Sequence, residues 1–199
     1  MVKNKEDAMR DFILNCSESL FTSNGYKNTS MDMIAEKCEI SKPTLYNYFE
    51  SKNALFMGLY IRFQDEITQK GKELMGQKKD KRLIIEDIID LSLSLMQEKR
   101  NFLKMMVREH HVAIQECENL EEHMGFELRR REEIAKNLGE FMKDIIRPEV
   151  LKEFGVVMVG ATLSSLLEGA LWESIQADLT NHEKQKKMIM KLLKNGILA

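Results

Sequence analysis

The chain has 199 residues, 43% of them hydrophobic, which is enough to bury one large or two small cores. A net charge of −2 is not that of a strongly basic nucleic-acid binder, and the first 53 residues carry seven basic and eight acidic side chains. Only 2 prolines and 10 glycines interrupt the chain and β-branched runs are few, so sheet classes are excluded and an all-α protein is expected.

Taken in chain order, the first helix is expected over 4–23, with Ala8, Met9, Phe12, Ile13, Cys16, Leu20 and Phe21 at helical spacing. Asn24 and Gly25 end it, glycine supplying the left-handed cap. Residues 30–52, SMDMIAEKCEISKPTLYNYFESK, spell two short helices joined by a tight turn. Ser30 and Ser41 are placed to cap them, and Pro43 sits in the first turn of the second, where a missing N–H costs little. Leu45 and Phe49 face inward; Lys42, Thr44, Asn47 and Tyr48 point out. A capped helix that follows a tight turn and carries short polar and aromatic groups outward suits the DNA major groove.

Helix four is expected over 52–75, capped by Ser51, with Leu55, Phe56, Leu59, Tyr60, Phe63 and Ile67 along one side. A basic connector at 78–82 reads as a solvated turn. Helix five (83–97) is apolar on two faces and should be central; helix six (101–117) follows. Helix seven (120–146) repeats Met124, Leu128, Arg131, Ala135, Leu138, Met142 and Ile145 about every 3.5 residues, as if packed along a partner helix. Pro148 opens helix eight (148–177), and Thr180 can cap helix nine (181–195). Helix eight mixes small and large apolar residues on all sides and so should be covered all round. Its apolar run over 156–167 is too short for a membrane span of roughly 20 residues. Two readings of it remain open: a two-fold interface with helix nine, or an ordinary core helix.

The 30–52 segment resembles the DNA-binding region of the TetR family of bacterial transcriptional repressors. The resemblance rests on Phe21, Gly25, Ser30, Ile34, Ala35, Ser41, Thr44, Leu45, Tyr46, Tyr48, Phe49, Ser51, Lys52, Leu55 and Phe56, and it covers about the first quarter of the chain. It implies a helix-turn-helix DNA-binding domain over 1–50 and an effector-binding and dimerisation domain over 51–199. Lys42, Pro43 and Thr44 fall at base-reading positions. Tyr46, Tyr48 and Lys52 match phosphate-contacting ones, Asn47 lies beside them, and Ser30 with Met31 starts the supporting helix at the DNA backbone. Asp32 departs from the pattern, since an acid there repels phosphate.

The resemblance also implies a homodimer closed by helices eight and nine. The residues expected at its interface are Gly160, Leu163, Ser164, Leu167, Leu171, Met188 and Leu192. An effector cavity among helices four to eight would draw on Tyr60, Phe63, Met96, Phe102, Met105, Met106 and His110. Because methionines adapt to apolar shapes, a hydrophobic or amphipathic small molecule is expected there. The implied function is a repressor that binds a palindromic operator and is released by that effector, without enzymatic activity or cofactor.

A metal site would have to draw on His110, His111, Cys117 and His123, whose spacing is poor for shared ligation. A di-iron bundle needs Glu-x-x-His pairs, and no histidine here has Glu three residues before it. No nucleophile elbow, phosphate-binding glycine loop or HExxH motif occurs. An odd number of scattered cysteines (Cys16, Cys38, Cys117) suggests reduced thiols, and the charged N-terminus does not read as a signal peptide. A cytoplasmic location without membrane attachment is therefore expected.

Overall fold

The computed structural model describes residues 5–115, 120–176 and 182–198, excluding the side chains at 110, 111, 120, 122, 123, 171, 174–176 and 182. Among the described residues the chain forms helices only: α1 (Lys5–Asn24), α2 (Met31–Lys37), α3 (Lys42–Tyr48), α4 (Lys52–Met75), α5 (Lys81–Glu98), α6 (Arg100–Gln115), α7 (Leu120–Met142), α8 (Pro148–Gln176) and α9 (His182–Gly196). The expected all-α class holds, and most helix ends fall within two residues of the positions read from caps and periodicity. The chain divides into two compact units, residues 1–65 with 99–120, and 66–98 with 121–199.

The first unit holds α1 to α3, the opening turns of α4, and α6. Ile13, Phe21, Tyr26, Ile34, Leu45, Leu55, Phe56 and Leu103 are fully buried in it. The rings of Phe21, Tyr26 and Phe56 sit 4.9–5.9 Å apart, two of the three pairs edge-on. Such pairs add roughly 0.5–1.5 kcal/mol each beyond the area they bury, and here they fasten the start of α4 to the end of α1. Gly25, at φ +79, donates to Phe21 O at 2.9 Å and ends α1 as expected. Glu18 of α1 accepts from Arg62 of α4 and from Lys99, each at 2.7 Å. The Asn53 amide donates to Ala113 O, joining α4 to α6. Phe12, expected on the buried stripe of α1, is exposed.

The second unit packs α5 against α8 and α9. Ile84, Ile85, Ile89 and Leu93 of α5 are buried, as are Val159 and Leu163 of α8 and Ile189, Met190 and Leu193 of α9. α7 and α8 cross with almost no gap. A Cβ built on Gly160 would lie 1.9 Å from Ala135 O, and one on Gly139 would lie 2.2 Å from Val156 O. Glycine is required at both positions.

This crossing bears on two expectations. Gly160 and Leu163, expected at a surface between subunits, are buried inside one chain. The α7 repeat is buried only at Ala135 and Met142, while Met124 and Leu128 are exposed. Nor is α8 covered all round, because Phe154, Val157, Met158 and Leu166 are exposed. The helix also kinks at Gly155, where φ is 74 and ψ 162. Counted from Pro148 to Ala170, with a hydropathy of 1.6, it is long and apolar enough to cross a membrane by composition alone, contrary to the shorter count from sequence. In the structure it docks on α5 and α7.

Candidate nucleic-acid interface

Residues 30–49 build a rigid platform from local chemistry. Ser30 is extended (φ −114, ψ 159) and its side chain accepts from Met33 N at 3.2 Å, capping α2. Such a cap contributes about 1 kcal/mol. At the other end of α2, Ile40 N donates to Ala35 O and Glu39 N to Glu36 O, both at 3.0 Å. This pair of bonds is a Schellman closure, and it forces Glu39 to φ +54. A residue with a Cβ adopts that conformation at a cost of about 1–2 kcal/mol, so the sharp turn is held against strain.

Ser41 then caps α3 by accepting from Thr44 N at 3.2 Å, and its hydroxyl meets the Thr44 hydroxyl at 2.7 Å. Leu45 and Phe49 are buried beneath α3. Arg10 of α1 donates to Tyr48 O at 2.7 Å and lies 4.4 Å over the Phe49 ring. It thus places a cation at the carbonyl end of α3, the favourable end for positive charge. Sequence reasoning misses Arg10, because 38 residues separate it from Tyr48 and no local pattern links them.

With its inner face committed, α3 leaves Lys42, Pro43, Tyr46 and Asn47 exposed, with Thr44 and Tyr48 half-buried. Tyr46 is 44% exposed. Met31, expected at the DNA backbone, is 8% exposed, so its side chain belongs to the core, at the first position of α2.

Two lysines are engaged within the chain. Lys42 Nζ lies 2.6 Å from Asp32 Oδ1, with both side chains more than half exposed. The hydrogen bond and charge of Asp32 hold the Lys42 ammonium above its usual range. Lys52 donates to Tyr26 O at 3.1 Å and sits 4.2 Å above the Tyr26 ring. Its expected phosphate contact must therefore share the ammonium with an internal role.

The residues expected around an effector are mostly buried: Phe63, Met96, Phe102, Met105 and Met106 fully, Tyr60 half. Met96 belongs to the second unit and the others to the first; the His110 side chain lies outside the described residues. Open grooves lined mostly by charged and polar residues occur elsewhere. One, of about 700 Å³, runs along Glu86 and the lysines of α9; another, of about 420 Å³, is lined by Asn15, Glu18, Ser19, Thr22, Ser23 and Lys99. Of the expected interface residues, Met188 and Leu192 are exposed, Ser164 and Leu167 half-buried, and the Leu171 side chain undescribed. His111, Cys117 and His123 likewise fall on undescribed positions, and no metal-ligating group of three appears among the described residues.

Residues 13–59 match the sequence model for bacterial regulatory proteins of the tetR family. An HTH-type transcriptional regulator from Bacillus subtilis, YhgD, is 35% identical over 66 residues, 33% of this chain and 35% of the relative. UidR of Escherichia coli, also an HTH-type transcriptional regulator, is 31% identical over 83 residues, 42% of each chain. The matched segments thus span well under half of these relatives. A solved TetR-family transcriptional regulator from Syntrophomonas wolfei superposes with a TM-score of 0.72 over 96% of this chain and 95% of its own, at 22% identity, a likeness of fold. Residues 13–59 are thus similar to the helix-turn-helix segment of TetR-family transcriptional regulators, and the likeness over the whole chain is one of fold.

Proposed function

From the likeness of its helix-turn-helix segment to that family we infer that the chain is a homodimeric, cytoplasmic repressor that binds a palindromic operator and is released by a hydrophobic or amphipathic effector. The observation that carries the DNA-binding part is the doubly capped α3, anchored by Leu45, Phe49 and Arg10, with Lys42, Pro43, Tyr46 and Asn47 exposed on its outward face. Support for the dimer comes from the exposed apolar residues Val157, Met158 and Leu166 of α8 and Met188 and Leu192 of α9. Gly160 and Leu163 leave that interface; the exposed residues take their place. The effector reading is supported by the buried apolar set Phe102, Met105 and Met106 on α6. The length of α4, which contributes to both compact units, makes it the element through which an effector would act on α3.

The test is titration of the protein with duplex DNA from upstream of its own gene, followed by fluorescence anisotropy. Sequence-selective binding is expected, with half-sites about one helical turn apart or a multiple of that. Lys42→Ala should change base preference by about 1–3 kcal/mol if Lys42 reads a guanine edge. Binding that ignores sequence, or that survives loss of the α3 side chains, would refute the reading.

A further inference from the structure

Two thiols lie within the helix-turn-helix region, and operator recognition uses neither. Cys16 is on α1 and half-buried; Cys38 caps the end of α2 and is 3% exposed. α1 packs on α2. Cys16 Sγ lies 3.9 Å from the carbonyl of Lys37, the residue before Cys38. Both thiols are free. A disulfide between them would bring the two sulfurs to an S–S length of about 2.05 Å.

We propose that Cys16 and Cys38 are a redox modification site, in which a hydroperoxide joins them by a reversible disulfide that lowers DNA affinity. The effect on DNA rests on the operator reading above; the disulfide does not. Burial, with the Cys16 thiol alongside, pushes the Cys38 thiol up to about 12, so Cys38 is the poorer first nucleophile. The half-exposed Cys16 meets the oxidant. Its thiolate attacks one peroxide oxygen, an S–O bond forms as the O–O bond breaks, and the departing hydroxide takes up a proton as water. Cys38 sulfur then attacks the Cys16 sulfenic sulfur. The S–S bond forms, the S–O bond breaks, and the hydroxyl leaves with the Cys38 proton as a second water. Two thiols lose two electrons, and hydrogen peroxide is reduced to two waters.

The structural consequence follows from where Cys38 sits. Glu39, strained at φ +54, is the next residue, and Ser41 caps α3 two residues beyond. Drawing Cys38 toward α1 pulls on the turn that aims the recognition helix. That turn is closed by two hydrogen bonds and has little slack.

The full chain, and the same chain with Cys117→Ser to keep the third cysteine out of exchange, is treated with hydrogen peroxide, alkylated and digested with trypsin without reductant. The expected product is a linked pair of peptides, 11–27 and 38–52, that dithiothreitol separates. Anisotropy with the duplex from upstream of the gene should show at least about tenfold weaker binding by the oxidised protein, within the usual range of coupling, and recovery on reduction. Cys16→Ser and Cys38→Ser should each abolish the response; Cys16→Ser suffices if the buried substitution prevents folding. Thiol loss without the 11–27/38–52 link, or a bridge that leaves DNA affinity unchanged, would overturn the proposal. Failure of the reduced protein to bind DNA would instead refute the operator reading, while the linked peptide would still establish the disulfide site.

Discussion

At the scale of single residues, the Asp32–Lys42 pair has the most direct bearing on DNA. Asp32 reads in sequence as a repulsive charge; in the structure it is also the 2.6 Å partner of Lys42, the lysine proposed to read a base. Exposed pairs contribute little to stability, so the pair matters through competition with DNA. Every phosphate approaching Lys42 must displace a carboxylate that repels it. Asp32→Asn should therefore tighten binding to all duplexes, more for non-specific than for operator DNA. It should steepen the slope of log affinity against log salt by about 0.9, one further phosphate neutralised. Salt titrations of the two proteins on random and operator duplexes check this; parallel slopes would show that Asp32 does not restrain Lys42. Lys52 differs, because its bond to Tyr26 O and its place over the Tyr26 ring make it part of the fold. Losses on its removal cannot all be assigned to phosphate.

At the scale of elements, the α7–α8 crossing and the α8–α9 surface separate two roles that the sequence merges into one. Gly160 faces Ala135 O so closely that even a methyl group must move a backbone. Gly160→Ala should destabilise the second unit by roughly 1–3 kcal/mol, the range for overpacking, at any protein concentration. Denaturant unfolding measures it, and an unchanged midpoint would contradict the crossing. Leu192, 54% exposed, makes no such internal demand. Leu192→Glu should leave the protomer's stability within about 0.5 kcal/mol, as for surface changes generally, and act on association alone.

At the scale of the whole molecule, the proposed function depends on assembly and on coupling. A two-fold interface repeats each substitution on both sides, so Leu192→Glu should give soluble monomers with weakened operator binding although α3 is intact. Light scattering with anisotropy tests this, and a variant that remains dimeric would remove α9 from the interface. For release, an effector must prefer the form that does not bind DNA. A coupling of about 1–3 kcal/mol lowers operator affinity roughly 5- to 150-fold, and operator DNA must weaken effector binding by the same factor. Titrating hydrophobic ligands with and without operator separates inducers from bystanders: a ligand bound equally tightly in both is no inducer.

The sequence by itself determined what depends on neighbours along the chain. Capping serines, the placement of Pro43, the Gly25 stop and the spacing of Leu45 and Phe49 act over one helical turn, so α1 to α4 and the outward face of α3 were legible from residue order. Tertiary structure alone decided what depends on distant residues meeting. Arg10 reaches Tyr48, Lys52 turns to Tyr26, and Cys16 meets the Lys37 carbonyl beside Cys38 only because distant parts of the chain pack together. The same holds for α8. Its composition calls for burial on every side, but periodicity records which residues are apolar and not which neighbour covers them. The fold spent its glycines on the close crossing with α7 and left Val157, Met158 and Leu166 outside. The approach of Ala135 O to 1.9 Å from a Cβ position at Gly160 is a property of two helices together, and neither helix's sequence carries it alone.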